Sequence, residues 1–385
     1  MAKYMKTEQG YIDIPNFALE PFKPAGKSYL TFSSSSSFTL KVNNLTKNWN
    51  GTIEYFASDK TWTVWDGTTV LSAVYDDGEY FLYLRGTKNT IITGNNTSFR
   101  WTLHGSNIAC IGNIENLLDY TIVASGNHPR MEFYCYSAMF SGCTALTQAP
   151  ALPATTMANS CYSYMFRGCT SLTQAPALPA TTMANYCYDH MFSGCTSLTQ
   201  APALPATTME NYCYDHMFSG CISLTQAPAL PATTVANYCY QYMFYNCASL
   251  TQAPALPVIT LANYCCFNMF YKCTSLKLSS TKTDDYTQEY RITHSGSSIT
   301  VPNSLQDMFS STGGTFTGTP SFNTTYYLSS DNMIVRETDV ATLNGYVRSM
   351  IETAEYIIPS STSGSTKKFK ITVDDSGTLT ATEVT

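Results

Sequence analysis

Charge is scarce in this chain. Asp, Glu, Lys and Arg make up 12% of its 385 residues, about half the share usual in globular proteins. The net charge is −6, and Lys367, Lys368 and Lys370 form the only basic cluster. These lysines sit on an alternating strand pattern and read as a solvated face. Binding nucleic acid requires clustered Lys and Arg against the phosphates, so no nucleic-acid partner is expected. Long apolar runs are lacking too. No stretch approaches the roughly 18 apolar residues of a spanning helix, so no membrane insertion is expected. After Met1, the residues Lys3, Tyr4 and Lys6 lead into polar sequence. No secretory signal is read there, which implies synthesis and release in a cytoplasm.

What is present is a repeat. Met followed by Phe recurs at Met139, Met165, Met191, Met217, Met243 and Met269, always 26 residues apart. The phrase Thr-Gln-Ala-Pro-Ala-Leu-Pro begins at Thr147, Thr173, Thr199, Thr225 and Thr251. A fixed period in the 20–50 range is the signature of a solenoid. The segment 172–178 in one copy reads as short and extended, with Pro176 unable to donate a ladder bond and Pro179 ending the run. Met183, Cys187 and Met191 fall at i, i+4 and i+8, which predicts a helical turn capped by Thr181 and Thr182 and stopped by Gly194. Each coil is therefore expected to be a strand plus a helical turn.

Fourteen cysteines suggest a disulfide scaffold until they are placed on the repeat. One ladder is Cys135, Cys161, Cys187, Cys213, Cys239 and Cys265; the other is Cys143, Cys169, Cys195, Cys221, Cys247 and Cys273. A Cys at one site in every coil is what a small buried apolar position gives, so both ladders are read as reduced and structural.

The rest of the chain sorts around the repeat. Residues 1–27 form an irregular docking segment interrupted by Pro15, Pro21 and Pro24. Residues 28–124 carry short alternating strands at roughly ten-residue spacing, expected to form an antiparallel β-sandwich with Tyr55, Trp62, Trp65 and Trp101 in its core. A short helix over 113–120 is expected to cover the first coil with Leu117 and Leu118. Residues 125–331 are the solenoid with its caps, and Asp307, Met308 and Phe309 echo the repeat as a degenerate last coil. Residues 332–385 are expected to give a helix (Val340, Leu343, Val347, Met350, Ile351), stopped at Pro359, and then a hairpin of 368–373 with 378–384. The predicted fold is thus multi-domain and β-rich, with a leucine-rich-repeat solenoid at its centre.

Several sharper motifs do not hold. Cys187, His190, Cys213 and His216 mimic a zinc set, but these Cys belong to a ladder that runs through coils without His. A Cys–His nucleophile fails for the same reason. Asp189, Asp215 and Glu210 stand apart without the focus of a carboxylate pair. Gly313 and Gly314 read as a turn. No catalytic residue, metal or cofactor is expected.

The run 191–199, Met-Phe-Ser-Gly-Cys-Thr-Ser-Leu-Thr, resembles the Phe-x-x-Cys-x-x-Leu core of BspA-type leucine-rich repeats. The fuller phrase Leu-Pro-Ala-Thr-Thr-Met-Ala-Asn-Tyr-Cys-Tyr is similar to a branch found in gut Bacteroidales and their phages. Residues 101–110 and 113–119 resemble the lead-in of that branch, and 359–373 is similar to an ending seen on phage structural proteins. The resemblance implies surface binding, often adhesion, and no catalysis.

Constant slots in the repeat read as core and variable slots as solvent-facing. The variable slots are the two residues before each Met and the position two after it. They supply the candidate ligand-contact stripe: Tyr164, Arg167, Asp189, His190, Asp215, His216, Gln241, Tyr242 and Tyr245. Gln148, Gln174, Gln200, Gln226 and Gln252 form a second, uniform ladder. The function expected is a non-enzymatic phage virion protein, a head or tail fibre or decoration, binding host surface glycan or protein. A terminal segment would join it to other virion proteins, and the 340–351 helix would make a homotrimer. The alternative is a bacterial cell-surface adhesin.

Overall fold

A computed structural model describes residues 4–7, 10–13, 22–26, 29–94, 100–257, 261–293, 303–335, 357–359, 368–373 and 379–384. Strands β1 (Tyr4–Thr7) and β2 (Gly10–Asp13) pair antiparallel. The lead segment is therefore not irregular throughout, contrary to its scattered apolar pattern. Phe22 docks on the chain itself: it is buried, with its ring 5.2 Å from Phe56 and 5.9 Å from Tyr83.

Nine short strands follow. They are β3 (Leu30–Ser34), β4 (Thr39–Val42), β5 (Thr52–Phe56), β6 (Trp62–Val64), β7 (Leu71–Ser72), β8 (Val74–Asp76), β9 (Glu79–Thr87), β10 (Trp101–His104) and β11 (Ile108–Ile111). Alternation places Leu30, Phe32, Ile53, Leu82 and Leu84 on the buried face of one sheet, and Leu40, Val42, Trp101 and Leu103 on that of another. The small sheet runs β10-β4-β7. The stretch 69–75 divides at Ala73, with β7 in the small sheet and β8 on β9 in the large one. Trp49, Trp65 and Trp101 meet in the core, with ring centres 5.0, 5.3 and 6.5 Å apart.

Helix α1 (Asn116–Ala124) starts three residues later than expected. Leu117 and Leu118 are fully buried in the core that also holds Cys135 and Tyr136. The approach of α1 to β9 is close: a Cβ on Gly86 would lie 1.8 Å from the Leu117 carbonyl oxygen. Only glycine fits there.

The large sheet runs into the repeat. Its order is β12-β11-β3-β9-β5-β6, where β12 (Leu146–Gln148) belongs to the first coil and pairs parallel with β11. The apolar core is continuous from Leu30 to Leu328 and so crosses residue 124.

The coils differ from the expected strand plus helical turn. The segment with Met183, Cys187 and Met191 is a ribbon of consecutive turns. Odd-numbered residues donate locally: Cys187 N–H to Ala184, Asp189 to Tyr186, Met191 to Tyr188 and Ser193 to His190. Even-numbered residues donate to the next coil: Tyr186 N–H to Asn211 at 3.0 Å, Tyr188 to Cys213 at 3.1 Å, His190 to Asp215 at 2.8 Å and Phe192 to Met217 at 2.9 Å. Every fourth residue is left-handed, with φ of 60° at Tyr186, 54° at His190 and 75° at Gly194. An α-helix cannot hold such residues. With no helix, Thr181 and Thr182 cap nothing; Thr182 bridges Thr156 in the coil before.

The extended side is the weaker ladder. Among the described residues, the middle coils pair there only through isolated bridges, such as Gln174 with Gln200 and Gln200 with Gln226. The prolines of that segment have no N–H to give. Most of the inter-coil hydrogen bonds thus run through the turn ribbon, with a few on the extended side such as Thr225 N–H to Thr199 at 3.2 Å. Inside it, Phe140, Phe166, Phe192, Phe218, Phe244 and Phe270 stack at 5.5–5.7 Å. The second Cys ladder is tied in as well: Cys195 Sγ–H donates to the Phe166 carbonyl at 3.1 Å, and Cys221 to that of Phe192 at 3.1 Å. All fourteen thiols are free and buried.

Strand β13 (Gln252–Pro254) lies in the fifth coil, and β14 (Lys277–Ser279) closes the sixth. After β15 (Tyr286–Arg291), residues 303–312 stack as a last coil. Phe270 N–H donates to Met308 at 2.9 Å, and the Phe270 and Phe309 rings lie 5.3 Å apart. Strands β16 (Gly313–Gly314) and β17 (Thr325–Ser329) complete a sheet β15-β17-β14-β16, and β18 (Met333–Val335) pairs parallel with β13. The predicted 340–351 helix lies outside the described residues. At the C-terminus β20 (Lys368–Val373) and β21 (Leu379–Val384) form the expected hairpin, and β19 (Ile357–Pro359) adds a third strand.

Candidate functional site

The repeat aligns the left-handed positions of the turn ribbon in columns, whose aromatic members are half-exposed or exposed while Ala138, Ser160 and Asn268 are buried. One column is Ala138, Tyr164, His190, His216, Tyr242 and Asn268. The middle four rings lie face to face: Tyr164 to His190 at 4.5 Å, His190 to His216 at 4.3 Å, and His216 to Tyr242 at 4.5 Å. Tyr245 meets Tyr242 edge-on at 5.6 Å, and Arg167 sits over the Tyr164 ring at 5.8 Å. Six of the nine residues predicted from sequence therefore come together as one half-exposed strip. Burial, with the neighbouring Asp189 charge, pushes the Tyr164 hydroxyl up to about 12.

The slot before that column corrects the reading of variable positions as solvent-facing. Asp189 and Asp215 are 6% and 7% exposed, and Ser137 and Ser163 are buried too. Their role is support. Asp189 Oδ1 pairs with His190 Nδ1 at 2.5 Å, and Asp215 Oδ1 with His216 Nδ1 at 2.7 Å. Ser163 Oγ–H donates to the other Asp189 oxygen at 3.2 Å. Burial raises the Asp215 carboxyl above the ordinary value, with the His216 bond working against that rise. A Nδ1–H held by carboxylate leaves each Nε2 free on the outer edge. Gln241 is half-buried beside Tyr242.

His190, Asp215 and His216 bring ligand-type atoms within 4.8 Å of one another. Both Nδ1 atoms are already engaged, and parallel rings aim their Nε2 atoms side by side rather than at one point. The zinc set suggested by Cys-x-x-His spacing does not assemble. Cys187 and Cys213 are fully buried, with Cys213 Sγ directed to Met209 Sδ at 3.6 Å.

Beyond His216 the strip opens into a cleft of about 410 Å³ lined by His216, Ser219, Tyr242, Tyr245, Tyr271 and Asp307, with Asn268 at its wall. The Asn268 side-chain oxygen is buried without a hydrogen-bond partner among the described residues. The Gln ladder lies elsewhere, exposed on the extended side at Gln148, Gln174, Gln200 and Gln226.

A second outward column escaped the sequence reading because its residues hardly vary. Tyr186, Tyr212, Tyr238 and Tyr264 stack at 4.5, 4.5 and 5.0 Å. Loss of solvation, with the stacked neighbours Tyr186 and Tyr238, pushes Tyr212 up to about 12. The signal available was Ser160, the one copy without the ring.

Coils that stack in register, each lending a residue to common outer columns, define a repeat protein built for extended surface contact. Six copies of the BspA type leucine rich repeat region match residues 134–243 and 212–334. Those matches cover just over half of the chain, which belongs to this family. Proteins with such repeats are typically non-enzymatic binding proteins, usually at surfaces or outside cells. Comparison with curated proteins returned no match, and comparison with solved structures returned none. Among the described residues no helix is long and apolar enough to cross a membrane.

Proposed function

We propose that this chain is a non-enzymatic recognition protein whose solenoid, carried on an N-terminal β-sandwich, binds glycan or protein on a bacterial host surface. The contact strip is Tyr164, His190, His216, Tyr242 and Tyr245 with Arg167. One observation carries the reading: rings that differ from coil to coil share a rigid outer column, while buried Asp189 and Asp215 fix the imidazoles from below. Flat rings and fixed polar edges suit neutral, hydroxyl-rich or amide-rich partners, and the low charge of the chain fits that chemistry. Binding of the purified chain to intact host cells, before and after periodate or protease treatment, tests it. Saturable binding lost on one treatment is expected; no saturable binding contradicts it.

We place the protein on a phage virion, joined by a terminal segment to other virion proteins. The support is the similarity of residues 359–373 to endings of phage structural proteins. A bacterial cell-surface adhesin is the second reading, favoured by the repeat family itself. Mass spectrometry of purified particles and of cell envelopes separates the two. Light scattering at micromolar concentration tests the homotrimer, and a monomer removes it.

A further inference from the structure

The tyrosine column has a gap. Where Tyr186, Tyr212, Tyr238 and Tyr264 follow one another at 4.5–5.0 Å, the coil before Tyr186 has Ser160, and the coil before that has Tyr134. The backbone does not contract over the missing ring. Tyr134 N–H donates to Asn159 at 3.0 Å, Ser160 to Asn185 at 2.9 Å and Tyr186 to Asn211 at 3.0 Å. Tyr134 and Tyr186 hold equivalent left-handed positions, with φ of 61° and 60°, two coils apart, which at the 4.5 Å step of the column sets a spacing of about 9 Å. Ser160 forms the buried floor, and Tyr134 and Tyr186 are 39% and 41% exposed. The slot opens into a groove of about 560 Å³ along this column.

The amide row is broken in the same coil. Asn185, Asn211 and Asn237 each accept, with Oδ1, the backbone N–H of the Asn in the next coil, at 3.2, 3.1 and 3.0 Å. Asn159 makes no such bond, and its half-exposed side chain has no hydrogen-bond partner among the described residues. Among the described residues no charged side chain lines the groove.

An occupant must therefore be one ring thick, apolar on both faces, polar around its edge and uncharged. A nucleotide fails on charge, because no cation meets its phosphate. A phenylalanine ring offers the Asn159 amide no hydrogen bond, and a tyrosine or tryptophan offers one polar atom rather than a polar rim. A pyranose with equatorial hydroxyls satisfies all four conditions, with C–H groups on both faces and hydroxyls at the rim. We infer that the slot between Tyr134 and Tyr186 is a subsite for a neutral β-gluco-configured pyranose, recognised at its edge by Asn159. The inference rests on the reading of the repeat stack as a binding surface, and it adds a site separate from the His190–His216 strip.

The test is saturation-transfer NMR on the full chain with cellotetraose as the probe. Ser160→Tyr completes the column and fills the slot; Asn159→Ala removes the amide. Transfer to the sugar ring C–H protons is expected with the unaltered chain, and binding weaker on the order of ten-fold with either variant. A Glu79→Ala variant, altered at the exposed start of β9, is expected to bind cellotetraose normally. If Ser160→Tyr fails to fold, Asn159→Ala alone decides. No transfer with the unaltered chain, or equal transfer with the folded variants, overturns the subsite. The broader reading is tested on intact cells, so either failure is visible without the other.

Discussion

The imidazoles of His190 and His216 lie parallel with 4.3 Å between ring centres, each anchored through Nδ1 to the buried carboxylate of the residue before it. The repeat forces this stacking. Equivalent left-handed positions one coil apart are tied by the His190 N–H to Asp215 carbonyl bond at 2.8 Å. Side chains leaving such positions have little choice but to stack.

The first prediction concerns the support beneath the rings. Burial raises the Asp215 carboxyl above its ordinary 3.8. The folded state then holds its proton more tightly than the unfolded state. Below about pH 3.8 both states are protonated and Asp215 is neutral to stability; as pH rises towards the folded value, the unfolded state ionises first and stability falls. Asp215→Asn keeps an oxygen acceptor for His216 and removes this loss. Thermal unfolding should show the Asp215→Asn variant gaining on the parent as pH rises above about 3.8. A constant difference across that range would contradict the assignment.

A second prediction follows from the thiols. All fourteen are buried, and burial pushes Cys161, Cys195, Cys213 and Cys273 up to about 12. The thiolate is the reactive form. The native chain at about pH 8 should resist Ellman's reagent, then release all fourteen thiols on denaturation. Fast labelling of several thiols in the folded state would show that the ladders are accessible.

The phenylalanine stack gives a third. Phe192 sits between Phe166 and Phe218, 5.7 Å from each, and is fully buried. Phe192→Ala should cost about 3–5 kcal/mol, measured by urea unfolding. Ser193→Ala, one residue along and half-buried, should stay within about 0.5 kcal/mol.

The fourth concerns backbone handedness. Gly194 has φ of 75°, and a Cβ there would meet nothing closer than 3.7 Å. Glycine is present for conformation rather than space. Asn246 and Lys272 hold the equivalent positions at 57° and 63°. Gly194→Ala should destabilise by about 1 kcal/mol, whereas Asn246→Gly should be near neutral or stabilising.

The stack was legible in the sequence because its period never slips and its core residues repeat. The handedness of the turns was not. Met183, Cys187 and Met191 fit a helical face nearly as well as a ribbon that repeats every four residues. The distinguishing cue was the left-handed set Tyr186, His190 and Gly194, which a helix cannot hold. Burial was misread where chemistry and exposure part company. Asp189 and Asp215 look like surface residues but lie under their histidines, and the constant Tyr186 and Tyr212 look like core but lie outside. The strip itself was found because variation between copies singles out Tyr164, His190, His216 and Tyr242 whatever the local backbone.

The most direct test of the account is the affinity of a Tyr164→Ala/His190→Ala/His216→Ala/Tyr242→Ala variant for host cells, beside the unaltered chain and with folding checked by circular dichroism. The account predicts binding weakened at least on the order of ten-fold, with the stack intact. A folded variant that binds host cells as well as the unaltered chain would contradict it.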